Sequence, residues 1–164
     1  MTSSTPLAGL AELYERHSEA VFRAALRITG NPADAEDVLQ VVFLRVLARE
    51  ERRQGIEDVA LPTAYFKRAA VNAAVDVLRR RELHAESVYD DLAEHAAVQP
   101  RLLLKERLRR AIAVLDSEDA SLFLLRYVEG LSNEELAGLF QIEKNNVAVR
   151  LHRIRHRLQA EMER

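Results

Sequence analysis

Between Leu131 and Leu158 the chain reads LSNEELAGLFQIEKNNVAVRLHRIRHRL, and its polar residues are of the types that recognise nucleic acid. The amides of Asn145 and Asn146 can pair with base edges, adenine N6 and N7 above all, and the arginines behind them, Arg150 and Arg153, can take phosphates. The competing explanation is a solvated amphipathic helix in an ordinary bundle, because short helix pairs are common. His152 and His156, four residues apart, could in principle hold a metal ion, but HRIRHR offers no carboxylate beside them, and a solvated basic face explains them better. No nucleophile paired with a base and no glycine-rich phosphate loop is apparent, so neither an enzyme nor a bound cofactor is expected.

The elements that would position these residues are legible around them. Ser132 followed by Glu135 fits a capping box, which starts a helix near Asn133. Leu136, Leu139 and Phe140 give that helix an apolar side, and a turn at Gln141 and Ile142 leads into a second periodic run. There Val147, Leu151, Ile154 and Leu158 form a narrow stripe to be buried. Asn145, Val149, His152, Arg153 and His156 lie opposite, flanked by Asn146, Arg150 and Arg157. The pair reads as a helix-turn-helix with Asn145 and Asn146 in the first turn of the second helix.

Earlier in the chain, a helix is predicted over Leu7–Thr29, with Leu10, Leu13, Tyr14, Val21, Phe22, Ala25, Leu26 and Ile28 apolar and Gly30 ending it. Asn31 as N-cap, Pro32 at the first helical position and Asp34 in the first turn begin another, running to about Arg49. Ala35, Val38, Leu39, Val42, Phe43 and Val46 share its packing face. Asp37, Gln40, Val41 and Leu44 lie on the other side, so Val41 and Leu44 stand in water unless a partner covers them; single exposed apolar residues are also normal. Glu50–Ala60 reads as a loop. Pro62 opens a third helix that ends in Arg79, Arg80 and Arg81, a basic cluster to which Lys67 and Arg68 add, although arginines there also complement the helix dipole. Residues 82–99 carry five acids with no Lys or Arg, which marks a domain boundary. After Pro100, one helix spans about Arg101–Leu115 and a second, capped by Ser117, runs to Val128, with Gly130 closing it ahead of the helix-turn-helix.

Composition agrees with this plan. The 164 residues are 48% apolar, enough for real cores, and five Gly, four Pro and no sustained alternation argue against sheets. The fold class is all-α: a helical module over residues 1–81, an acidic linker over 82–100, and a helix-turn-helix module over 101–164. Without Cys there is no disulfide and no thiolate metal site, which is compatible with a reducing compartment. No apolar run is long enough for a bilayer, so no membrane insertion is expected and the cytoplasm is the default location. A net charge of −2 is unusual for a nucleic-acid binder, so the distribution of charge has to decide.

Taken together, DAEDVLQVVFLRVL, YFKRAAVNAAVDVLRRR, the acidic stretch and LFLLRYVEGLSNEELAGLFQIEKNNVAVRLHRIRHRL resemble an extracytoplasmic-function (ECF) sigma factor of bacterial RNA polymerase, over nearly the full length and in the right order. The resemblance implies a protein that binds core RNA polymerase and promoter DNA, directs transcription initiation, and is held by an anti-sigma factor. It implies that the helix carrying Asp37, Gln40, Val41 and Leu44 docks on the polymerase clamp. The third helix, with Lys67, Arg68, Asn72, Asp76, Arg79 and Arg80, would open the minus-ten element, Asn72 and Asp76 matching the Asn and Asp of the ARN-x-x-x-D pattern. Asn145, Asn146, Val149, Arg150 and Arg153 would read the minus-thirty-five duplex, and the linker would lie in the RNA exit path.

Some positions depart from the family pattern: Val41 for an acid, Tyr65 for Trp, Val71 for Arg, Gln141 and Glu143 for Gly and Ser, and Ala148 for Lys. Asp116-Ser117-Glu118-Asp119 stands where proline and arginine are usual, and its carboxylates would repel a DNA backbone. These acids favour an alternative reading, a sigma-like decoy that binds an anti-sigma factor without initiating transcription.

Overall fold

Gly30 adopts a left-handed conformation, φ 66°, that residues with a side chain avoid, and its N–H bonds the Leu26 carbonyl at 2.8 Å, so the first helix stops where the sequence predicts. The computed structural model describes residues 6–52, 62–85 and 100–164. Regular structure among the described residues is all α-helical: α1 Pro6–Thr29, α2 Pro32–Glu51, α3 Pro62–Ala85, α4 Pro100–Val114, α5 Ser117–Tyr127, α6 Asn133–Phe140 and α7 Lys144–Met162. None of these helices is long and apolar enough to cross a membrane. The chain divides into two compact units, residues 1–74 and 75–164, with the division falling inside α3.

In the first unit Asn31 Oδ1 accepts the Ala33 and Asp34 N–H groups at 2.9 and 3.2 Å, satisfying donors that the first turn of α2 leaves unpaired. The α1–α2 hairpin closes over Val21, Ala24, Ala25 and Ile28 on one side and Ala35, Val38, Val42 and Val46 on the other, all buried. Phe66 of α3 enters this core completely, with its ring 5.6 Å from Phe43 and stacked 4.2 Å from His17. Truncating so enclosed an aromatic costs about 3–5 kcal/mol. Tyr14 is half-exposed and packs edge-on against Phe43, while Arg49 donates to the Tyr65 hydroxyl at 2.5 Å.

The second unit corrects one predicted cap. Asp116, not Ser117, is the N-cap of α5: its carboxylate accepts the Asp119 N–H at 2.9 Å, and Ser117 is already helical. Gly130, φ 73°, then lets Glu129 and Leu131 bond back to the Leu124 and Leu125 carbonyls and turns buried Leu131 inward. The capping box is formed as read, with the Ser132 hydroxyl on the Glu135 N–H at 3.1 Å and the Glu135 carboxylate on the Ser132 N–H at 2.7 Å. Gln141, at the turn where the resemblance leads us to expect Gly, takes the left-handed conformation, φ 54°. Past it, Val147, Leu151, Ile154 and Leu158 are each at most 3% exposed and pack with Leu122, Leu125 and Leu136 in one core.

The predicted linker needs adjusting at both ends. Glu82–Ala85 continue α3, and Pro100 is already the first residue of α4. No glycine, proline or residue of capping type falls between Arg79 and Ala85, so Glu82 extends the helix instead of ending it. The body of the acidic stretch, 86–99, and most of the loop predicted before Pro62, 53–61, lie outside the described residues; α2 itself runs through Glu51.

Candidate functional site

Because the buried stripe fixes one side of α7, the other side is fixed as well. Asn145, Asn146, His152, Arg153 and His156 are all exposed, and Val149 is 49% exposed. The fold therefore brings together four of the five residues assigned to duplex reading, on the outward face of the second helix of a helix-turn-helix. His152 and His156 share that face with their Nε2 atoms 3.1 Å apart. Lys144 reaches back to Glu134 at 2.8 Å, tying the start of α7 to α6 and holding the Glu134 carboxyl below its ordinary range through that hydrogen bond and its charge. Among the described residues no cluster of three or more His, Asp or Glu side chains is arranged to hold a metal ion.

Arg150 differs from the others. It sits at the edge of the face, its side chain 31% exposed, and its guanidinium is engaged within the protein: Nε on Asp119 Oδ1 at 2.6 Å and Nη2 on Glu118 Oε2 at 3.0 Å. Arg157 lies 3.4 Å from the second Asp119 oxygen and 4.0 Å from Asp116. The acids read as a repulsive surface thus face two arginines of α7. Burial and the neighbouring Asp116 push the Asp119 carboxyl up against the pull of Arg150. Asp116 is held below its ordinary range: its burial is outweighed by the Asp119 hydrogen bonds and by the charges of Arg150 and Arg157. Sequence reasoning missed this cluster, although one signal was present. Arg150 and Arg157 are seven residues apart, two turns along one helix edge, and two adjacent acids start α5.

On α3, Lys67, Arg68 and Asn72 are half-buried in the first unit, and Val71, where the family usually has Arg, is fully buried in the core. Further along, Asp76 and Arg80 are exposed, whereas half-buried Arg79 donates to the Ser117 hydroxyl at 2.7 Å and to the Leu115 carbonyl. Arg68 and Asn72 lie one turn apart on one helix side in the first unit, and Asp76 and Arg80 do likewise in the second.

On α2, Asp37 and Gln40 are exposed, Leu44 is 64% exposed, and Val41 is half-buried, less open than its position opposite the stripe suggested. Gln40 and Leu44, together with Glu36, Leu10, Tyr14, Leu39, Phe43 and Leu47, line a groove of about 520 Å³ that is mainly apolar. An exposed leucine at the lip of such a groove offers a partner apolar area that the monomer leaves wet.

Comparison with known proteins supplies the family. Residues 13–83 match the family model for Sigma-70 region 2, and residues 105–158 match that for Sigma-70, region 4. The chain is 33% identical to the RNA polymerase sigma-E factor of Streptomyces coelicolor over 158 residues, covering 92% of this chain and 84% of that protein. It is 30% identical to the ECF RNA polymerase sigma factor SigL of Mycobacterium tuberculosis over 152 residues, 85% of this chain and 81% of that one. Among solved structures, the sigma factor RpoE of Bartonella quintana, in complex with the anti-sigma factor NepR, shares the fold with a TM-score of 0.52 at 16% identity, over 93% of this chain and 96% of that chain. Two sigma-70 regions in order, and kinship to these factors over more than four fifths of each chain, make the chain a member of the ECF sigma factors, which bind core RNA polymerase and direct it to promoters.

Proposed function

We propose that promoter choice by this sigma factor rests on Asn145, Asn146, Val149 and Arg153, which read the upstream duplex from the major groove, and on Lys67, Arg68, Asn72, Asp76 and Arg80, which hold the opened downstream element. Asp37, Gln40, Val41 and Leu44 form the docking face for the polymerase clamp. The working division is 1–81 for clamp and downstream element, 82–100 as linker and 101–164 for the upstream element. An anti-sigma factor is the proposed regulator, as NepR is a partner of the structural relative, and the cytoplasm is the proposed place of action. No residue is assigned a catalytic role.

The observation that supports this most is the division of α7, buried on one side by four aliphatic residues and exposed on the other with two amides in its first turn. The decoy reading loses its motive, since the carboxylates of Asp119 and Glu118 are paired with Arg150. Reconstitution with core polymerase followed by promoter-dependent run-off transcription tests the proposal. Specific transcripts are expected, and binding to an anti-sigma factor without polymerase binding would restore the decoy.

A further inference from the structure

The cluster at the start of α5 has the geometry of a clip. Asp119 stands between Arg150 and Arg157, its Oδ1 2.6 Å from one and its Oδ2 3.4 Å from the other, with its side chain 13% exposed. Glu118 takes a second edge of the Arg150 guanidinium at 3.0 Å. The Asp119 backbone is itself pinned, because its N–H is the one that the Asp116 cap accepts. The buried aliphatic stripe sets which side of α7 faces the core, and the directional hydrogen bonds to the planar Arg150 guanidinium add a second constraint on the rotation of the helix about its axis. Each residue occupies about 100° of the helix circumference, so a modest rotation would carry Asn145 and Asn146 off the line on which they meet base edges.

We infer that Asp119 is a positioning residue for promoter reading, and that Arg150 is the arm by which it fixes the azimuth of α7, not a phosphate ligand. The inference rests on the reading of α7 as the recognition helix. It reverses the sign expected from charge alone, under which removal of a carboxylate near DNA strengthens binding.

The test uses holoenzyme reconstituted from full-length sigma factor and core polymerase, and measures affinity for a matched promoter duplex and for duplexes altered at single upstream bases, at several salt concentrations. Asp119→Asn, which keeps the side-chain volume, and Arg150→Met are each expected to reduce preference for the matched duplex about three- to tenfold. Arg150→Met should leave the salt slope unchanged, and Arg150→Lys, which keeps the charge but loses the fork, should not restore preference. Melting curves of each variant identify any loss of fold, which a discrimination ratio measured on folded holoenzyme does not reflect. Asn146→Ala serves as the control. If it leaves preference intact, the recognition-helix reading fails and the inference with it. If it flattens preference but Asp119→Asn does not, the positioning role alone is overturned. Tighter binding of Asp119→Asn to every sequence, or a salt slope lowered by about one in Arg150→Met with preference intact, would overturn it too.

Discussion

The His17 imidazole lies on the Phe66 ring, centroids 4.2 Å apart and planes 14° from parallel. Burial lowers its pKa below the ordinary 6.5, and the charge of Arg16 lowers it further. The unfolded chain therefore binds this proton more readily than the folded one. Stability from His17 is fully present above about pH 6.5 and is lost as pH falls toward the depressed folded value. Urea denaturation at a series of pH values should show it, and His17→Phe, which keeps the stack and removes the proton, should flatten the decline.

The turn before α7 carries two correctable costs. Gln141 is left-handed at φ 54°, and Glu143 caps α7 without a side-chain hydrogen bond. Gln141→Gly should stabilise by about 0.5–1 kcal/mol through relief of the left-handed strain. Glu143→Ser should add a similar amount, about 0.5–1 kcal/mol, by supplying the missing acceptor. Thermal melts should rise by a few degrees for each, and no rise in either would show that the turn is not strained as described.

Leu44 is 64% exposed at the lip of the α1–α2 groove. Leu44→Glu should change the melting temperature little, since surface substitutions usually stay within about 0.5 kcal/mol. Copurification with core polymerase should fall sharply. A large drop in melting temperature with polymerase binding intact would remove Leu44 from the docking face.

Asn146 and Arg153 are both exposed on α7 but should fail in different ways. Asn146→Ala should cost about 1–3 kcal/mol on the preferred duplex and flatten preference at one base. Arg153→Ala should weaken all sequences alike and lower the salt slope by about one. Holoenzyme affinities across matched and altered duplexes separate the two signatures.

Local signals carried most of the fold. Gly30, Asn31 with Pro32, and Ser132 with Glu135 each act within four residues on their own backbone, so residue type and spacing suffice to place helix ends there. The Asp116–Ser117 cap was ambiguous because both residue types cap helices, and it is settled by which side chain reaches the Asp119 N–H. Arg150 was legible as a residue at the edge of a recognition helix but not as a partner of Asp119. The two are 31 positions apart, and a guanidinium looks the same in sequence whether its anion is a phosphate or a carboxylate of its own chain.

Only Gly30 and Asn31 separate α1 from α2, so the pair forms by closing a very short loop and pays little entropy to do so. Helix hairpins of this kind assemble in microseconds to milliseconds. A ribosome adds about 5–20 residues per second, and α7 begins some ninety residues after α2 ends, so roughly 5–20 s pass between the two. During synthesis α1, α2 and the exposed Leu44 are therefore made seconds before α7 exists, so the two faces to which the proposed function assigns protein docking and DNA reading arise in that order.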